Sequence, residues 1–301
     1  MSNSYAQSSQ DSAWKDIIEE LLEEFLAFFF PHMYSDIDFS KGYSFLDKEL
    51  QKIIKSDEIG KRYADKLVNV FLKTGEEKWL LIHVEVQGYT EPHLVERMFI
   101  YNYRIFNRYK KEVISAVILT DTDSSYRPRL YYRERWGFRL EMEFPLVKLI
   151  DYCSQEKALK KSSNPFALAT IAFLRYSEEK GSLKRLYEAK KELLTVLFEK
   201  NFSKRYIQAL FKFIDWLLQL PEALEWKIEN EIYEVTGGKT TMPYVTSWER
   251  MAAKRAAVKA KKEDAEKMLE EGLDIAQIIR ITGLTKEKVH QIKDELESKG
   301  C

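Results

Sequence analysis

The chain has 301 residues, enough to bury a sizeable core as one large domain or two smaller ones. Its 48 basic and 48 acidic residues cancel, and 45% hydrophobic with 32% charged residues is an ordinary soluble composition. A global basic field is therefore excluded, and any nucleic-acid contact must come from local patches. Two distant cysteines, Cys153 and Cys301, exclude a disulfide framework and fit a reducing, cytoplasmic setting.

No stretch spans a membrane: Phe25-Leu26-Ala27-Phe28-Phe29-Phe30 is too short and follows Glu19, Glu20, Glu23 and Glu24. Residues 1–12, rich in Ser, Gln and Asn, lack a secretory signal and are expected to be a frayed leader.

Residues 13–30 predict a helix capped by Ser12, with Pro31 beyond its end. Trp14, Ile17, Ile18, Leu21, Leu22, Phe25, Leu26 and Phe29 keep the three-four spacing of one apolar face. A loop with Asp36, Asp38 and Gly42 leads to a short helix over 45–54. Tyr63–Val70 and Leu81–Gln87 alternate as strands, joined by a hairpin loop at Thr74-Gly75-Glu76-Glu77. A long helix follows over 92–111, then a strand covered on both faces at Val113–Thr120. Further strands occupy 129–147, with a turn near Gly137. The 13–160 segment is thus expected to be an α/β core, a sheet with helices packed on it.

The pattern then becomes helical over 161–240. Helices are expected at 165–177, 182–199, 203–219 and 222–234, punctuated by Gly181, Asn201 and Pro221. Gly237-Gly238 and Pro243 mark a boundary before the 247–301 tail. That tail opens with a charged helix over 247–270, whose first half holds Arg250, Lys254, Arg255, Lys259, Lys261 and Lys262. Two short helices joined by a Gly turn follow, the second capped by Thr285 and turning Val289, Ile292 and Leu296 inward. This is a helix-turn-helix outline.

The chemistry concentrates in the hairpin. Glu85 and Gln87 share one face of their strand, with Leu80, Ile82, Val84 and Val86 on the other. A register symmetric about the turn sets Asp65 across from Glu85 or Gln87, with Cβ atoms about 4.5–5.5 Å apart. Two carboxylates and an amide oxygen would then surround one point, as a hard divalent cation requires. The bland alternative is a solvated polar strand face.

Arg97, Tyr101, Arg104 and Arg108 form one stripe of the next helix. It reads equally as a phosphate contact by Arg97 and Arg104 or as a solvated face. Glu49 and Asp47 are weaker candidates for a further acidic ligand, with surface charge as the competing account. His83 shares the Glu85 face and reads first as a hydrogen-bonded sheet histidine.

Lys61-Arg62-Tyr63-Ala64-Asp65-Lys66-Leu67, then Ile82-His83-Val84-Glu85-Val86-Gln87 and Glu96-Arg97-Met98-Phe99-Ile100-Tyr101-Asn102-Tyr103-Arg104, resemble the Rpn family. These are recombination-promoting nucleases, also given a transposase label, within the PD-(D/E)XK nuclease superfamily. The similarity runs from about 13 to 176 and includes Phe45-Leu46-Asp47-Lys48-Glu49-Leu50, Trp136-Gly137 and Asn164-Pro165-Phe166-Ala167. Ile281-Thr282-Gly283-Leu284-Thr285 resembles the tail often found in that family.

The resemblance implies a restriction-endonuclease-like mixed sheet flanked by helices, with an all-helical C-terminal extension. It implies Asp65 and Glu85 as ligands of Mg²⁺, or of Mn²⁺ in its place. Gln87 falls at the superfamily lysine, where this family usually shows glutamine. The implied activity is endonucleolytic hydrolysis of DNA with low sequence specificity, linked to recombination or mobile elements. The alternative is a weak or inactive nuclease fold that binds DNA or assembles as a homo-oligomer through its C-terminal helices. An RNA nuclease would use the same residues.

Overall fold

The computed structural model describes residues 13–54, 64–85, 92–179, 181–235, 260–261, 264–269, 273–285, 289–290 and 292, with backbone alone at 54, 64–65, 83–85, 235 and 276. The expected N-terminal helix is two helices, α1 (13–20) and α2 (Leu22–Phe29), bent at Leu21, whose φ is −133°. The bend keeps its hydrogen bonds, Leu21 N–H to Ile17 O and Phe25 N–H to Leu21 O, each 2.9 Å. Both halves bury the apolar face read from the spacing. Pro31 does not simply lie past the end. It opens a further helix, α3 (Pro31–Asp36), at the position where its missing N–H costs nothing.

A short strand β1 (Ser44–Phe45) and helix α4 (Asp47–Ile54) precede the hairpin of β2 (Ala64–Phe71) and β3 (Glu77–Glu85). Helix α5 (Leu94–Tyr109) returns the chain to β4 (Val113–Leu119), parallel to β3. Strands β5 (Leu130–Arg135) and β6 (Phe138–Glu143) form a separate two-stranded ribbon, and β7 (Leu146–Lys148) rejoins the main sheet beside β4. The result is a mixed five-stranded sheet in the order β1-β2-β3-β4-β7.

Both sheet faces are covered. Val68, Val70, Leu80, Ile82, Ala116 and Ile118 pack under α1, α2 and the helices described next. Leu67, Trp79, Leu81, Val117 and Leu119 pack under Leu50 and Ile53 of α4 and Leu94, Met98, Tyr101 and Ile105 of α5. The face of β3 that carries position 85 therefore also holds the buried Trp79 and Leu81, against the bland alternative of a solvated face. A central strand sandwiched between two helical layers is apolar on both sides.

After α6 (Glu156–Lys161) come α7 (Pro165–Glu179), α8 (Leu183–Glu199), α9 (Lys204–Leu217) and α10 (Glu222–Val235). Ser182 and Ser203 cap α8 and α9, their hydroxyls accepting from Arg185 and Tyr206 N–H. Helix α7 packs on α2 through Phe25 and Phe166, 5.3 Å apart edge to face, while Trp14 meets Phe213 at 5.0 Å. The helical segment thus shares one continuous core with the sheet. A third, small cluster joins α11 (264–269) and α12 (Ile275–Thr282) through Ala265, Ile278, Leu284, Val289 and Ile292. Gly283, with φ 65°, ends α12 in the left-handed region. Leu296, Ser12, the 1–12 leader and most of the 247–270 helix lie outside the described residues. No helix among the described residues is long and apolar enough to cross a membrane.

Among the four helices sits a buried charge cluster. Lys190 Nζ, fully buried, donates to Asp215 Oδ1 at 2.9 Å and to Glu225 Oε1 at 2.6 Å. Burial raises the Glu225 carboxyl above its ordinary 4.5 despite the Lys190 charge, with the Asp215 charge adding to the rise. Above pH 4.5 the unfolded chain releases this proton while the folded one keeps it, so stability falls as pH rises through that window. Glu225→Gln should flatten this fall, as read by urea denaturation across pH 4–8; an unchanged slope would remove the assignment.

Candidate functional site

The candidate site residues lie at the edge where β2 begins and β3 ends. Among residues with φ in the left-handed region, Gly75 (φ 93°) decides the hairpin geometry. Leu72 N–H donates to Glu76 O and Gly75 N–H to Leu72 O, both at 2.8 Å. The loop is therefore the three residues Lys73-Thr74-Gly75, a turn closed by a glycine, and Glu76 belongs to the ladder. The four-residue loop expected from Thr74-Gly75-Glu76-Glu77 is centred too far along the chain.

The register shifts accordingly. Asp65 pairs with His83, not with Glu85 or Gln87, and Ala64 pairs with Val84. Glu85 lies two residues further along β3 and pairs on its other side with Leu119. Positions 65, 83 and 85 keep the same parity in the ladder, so Asp65 and Glu85 stand diagonally rather than face to face. Such diagonal neighbours have Cα atoms about 7–8 Å apart. Gln87 lies outside the described residues.

Asp65 is flanked by a fixed cation. Lys66 is 4% exposed, and its Nζ lies 2.7 Å from both Asp47 Oδ2 and Glu19 Oε2, over the Phe45 ring. Burial pulls its pKa down, but the hydrogen bonds and charges of Asp47 and Glu19 more than offset that, leaving it raised. Asp47 is thereby taken up in anchoring β2 to α1 and α4. Glu49 is half-buried on α4, the helix whose Leu50 and Ile53 lie over Leu67 of β2.

The α5 stripe is not a uniform solvent face. Arg97 is 5% exposed and Tyr101 2%, whereas Arg104 is half-buried and Arg108 exposed. Arg97 sits in the first turns of α5, among Leu94, Met98 and Tyr101, so its place is inside rather than on an open phosphate-facing stripe.

One buried pair escaped the sequence reading. Lys148 and Asp121 are 0% and 1% exposed, with Nζ 2.7 Å from Oδ1, and Nζ also donates to Tyr126 O at 2.9 Å. The ladder aligns Glu85, Leu119 and Lys148 in one row across the sheet. The pair therefore fixes the loop after β4 at the same edge. Its signal in the sequence is a single lysine inside Pro145-Leu146-Val147-Lys148-Leu149-Ile150.

Among the described residues no group of three or more His, Cys, Asp or Glu could hold a metal; the side chains at 65, 83 and 85 are not among them. The donor chemistry of Asp65 and Glu85 nevertheless fits a hard divalent cation, which takes carboxylate oxygens.

Residues 259–294 match the family model described as Rpn/YhgA-like nuclease family, C-terminal HTH domain. That match covers the tail alone and supports the Rpn family. The third cluster lies inside it: Ala265, Ile278, Leu284, Val289 and Ile292 hold the helices around the Gly283 turn. Neither a curated protein nor a solved structure matches the chain.

Removing the Lys148 charge while leaving Asp121 buried strands a carboxylate in the interior. Lys148→Met should cost about 3–5 kcal/mol of stability by chemical denaturation, and a loss below about 1 kcal/mol would contradict the buried pairing.

Proposed function

We propose that the chain is a divalent-metal-dependent endonuclease that hydrolyses DNA with low sequence specificity, on a restriction-endonuclease-like core. The observation that carries this reading is the hairpin ladder, in which positions 65 and 85 fall on one edge of the sheet with the same parity. The tail's match to the C-terminal HTH domain of a nuclease family supports it independently, and suggests that the tail binds DNA.

In this mechanism Asp65 and Glu85 would hold Mg²⁺ or Mn²⁺. When bound, the cation would polarise a phosphoryl oxygen and lower the pKa of a coordinated water. Gln87 would orient a water or donate one hydrogen bond to the phosphate, without bringing positive charge. Of the two arginine candidates Arg97 is buried at the near end of α5, and Arg104, half-buried further along the helix, is the one left for a backbone contact away from the edge. Lys66, locked between Asp47 and Glu19, keeps the strand carrying Asp65 in place and does not itself face the phosphate. A role in recombination or in mobile elements is part of the same proposal and follows from the family resemblance.

A second reading, DNA binding or assembly without hydrolysis, rests on the tail match. Plasmid nicking separates the two. The parent should convert supercoiled DNA to open circles with Mg²⁺ or Mn²⁺ and not with EDTA. Asp65→Ala and Glu85→Ala should each lower the rate at least about a hundredfold, the scale of losing one transition-state contact. Equal nicking by mutants and parent sinks the site; binding without nicking by the parent favours the second reading.

A further inference from the structure

The β5–β6 ribbon carries groups that the proposed cleavage step does not use. Its base is fixed to α5: Phe99 and Tyr131 stack at 4.4 Å with planes 6° apart, and Arg133 reaches Glu96 at 3.4 Å. Moving from 131 to 133 on the ribbon moves from 99 to 96 on α5, so the ribbon turn projects past the helix N-terminus. The C-terminal end of α5 lies at the start of β3, where Tyr109 meets Trp79 at 5.2 Å. The helix N-terminus, whose Leu94 and Met98 share a buried cluster with Leu119, is therefore at the opposite edge. That edge is the one reached by positions 65 and 85.

At the tip stands Trp136. It is 94% exposed and occupies the left-handed region with φ 50°, followed by Gly137 at φ 81°, a two-residue turn of the primed hairpin type. A bulky residue there is a backbone outlier, and full exposure returns no burial to the fold. Phe138 beside it is 61% exposed. The Arg135 guanidinium lies over the indole at 5.1 Å and pairs with no carboxylate among the described residues. Arg133 over Tyr131 and Arg139 over Tyr132 repeat the arrangement at 5.1 and 5.8 Å. Five arginines against three glutamates lie between 127 and 143, in a chain whose net charge is zero.

A protein partner would call for a continuous apolar patch, and here arginines interrupt it. A flat ring backed by a cation suits the π-face of a nucleobase beside a phosphate. We propose that Trp136, backed by Arg135, is a stacking platform for an unpaired base of a nucleic-acid strand passing over the edge that holds positions 65 and 85. This deepens the nuclease reading above and rests on it for the purpose of the strand, although base stacking itself needs no metal.

The test is fluorescence anisotropy of the full chain with labelled single-stranded and duplex DNA oligonucleotides in EDTA, so that no cleavage occurs. Trp136→Ala should weaken single-strand binding about tenfold or more, the effect of losing one base–aromatic stack. Trp136→Phe should retain most of the affinity, and Trp226→Ala, at an exposed tryptophan of α10, should bind as the parent does. Parent-like single-strand binding by Trp136→Ala overturns the proposal. So does a loss confined to duplex DNA, absence of nucleic-acid binding by the parent, or a change of oligomeric state in Trp136→Ala with binding intact. A parent that never nicks plasmid but shows Trp136-dependent binding removes the cleavage reading and leaves the platform standing.

Discussion

The three-residue turn at Lys73-Thr74-Gly75 is the constraint on which the rest depends. A slip of one residue in an antiparallel pair exchanges the two faces of a strand. Here such a slip would turn Lys66 away from Glu19 and Asp47 and carry Leu67 out of the cluster formed with Leu81 and Leu50. Turn chemistry, a buried cation and two apolar clusters thus demand the same register. Agreement across these levels is what makes one pairing dominate. The same register brings positions 65 and 85 to one edge and sets them diagonally.

Buried lysines recur as alignment devices in this molecule. Lys66 ties β2 to α1 and α4, Lys148 ties β7 to the loop after β4, and Lys190 ties α8 to α9 and α10. Such pairs contribute little net stability over an apolar replacement, but breaking one partner is costly. Their effect is geometric: each selects one relative placement of elements that apolar contact alone would leave free to slide. At the candidate edge, Lys66 adjoins Asp65 on β2, and Lys148 lies in the same row as Glu85, one strand beyond β4.

Much of the fold was legible because its signals are local. Helices α7 to α10 begin and end within about two residues of their expected limits, since serine caps, Gly181 and Pro221 act on the neighbouring backbone. The helix pair around Gly283 was legible for the same reason, through a glycine C-cap and inward Val289 and Ile292. What could not be read depends on tertiary placement. Deciding between a three- and a four-residue loop at Gly75 required knowing that Leu72 bonds Glu76. The α5 stripe was legible as a stripe, but apolar and aromatic residues surround that helix, so periodicity alone did not say that Arg97 faces inward. Lys148 looked like an interruption of an apolar run until Asp121 appeared beside it. The splitting of 129–147 into a separate ribbon and a strand of the main sheet was likewise invisible to alternation.

The most direct measurement is the anomalous difference density of crystals soaked in Mn²⁺. A single strong peak is expected at the sheet edge, beside Asp65 and Glu85 and missing from Asp65→Ala crystals. A peak that persists in that variant, or manganese bound only elsewhere on the molecule, would contradict this assignment.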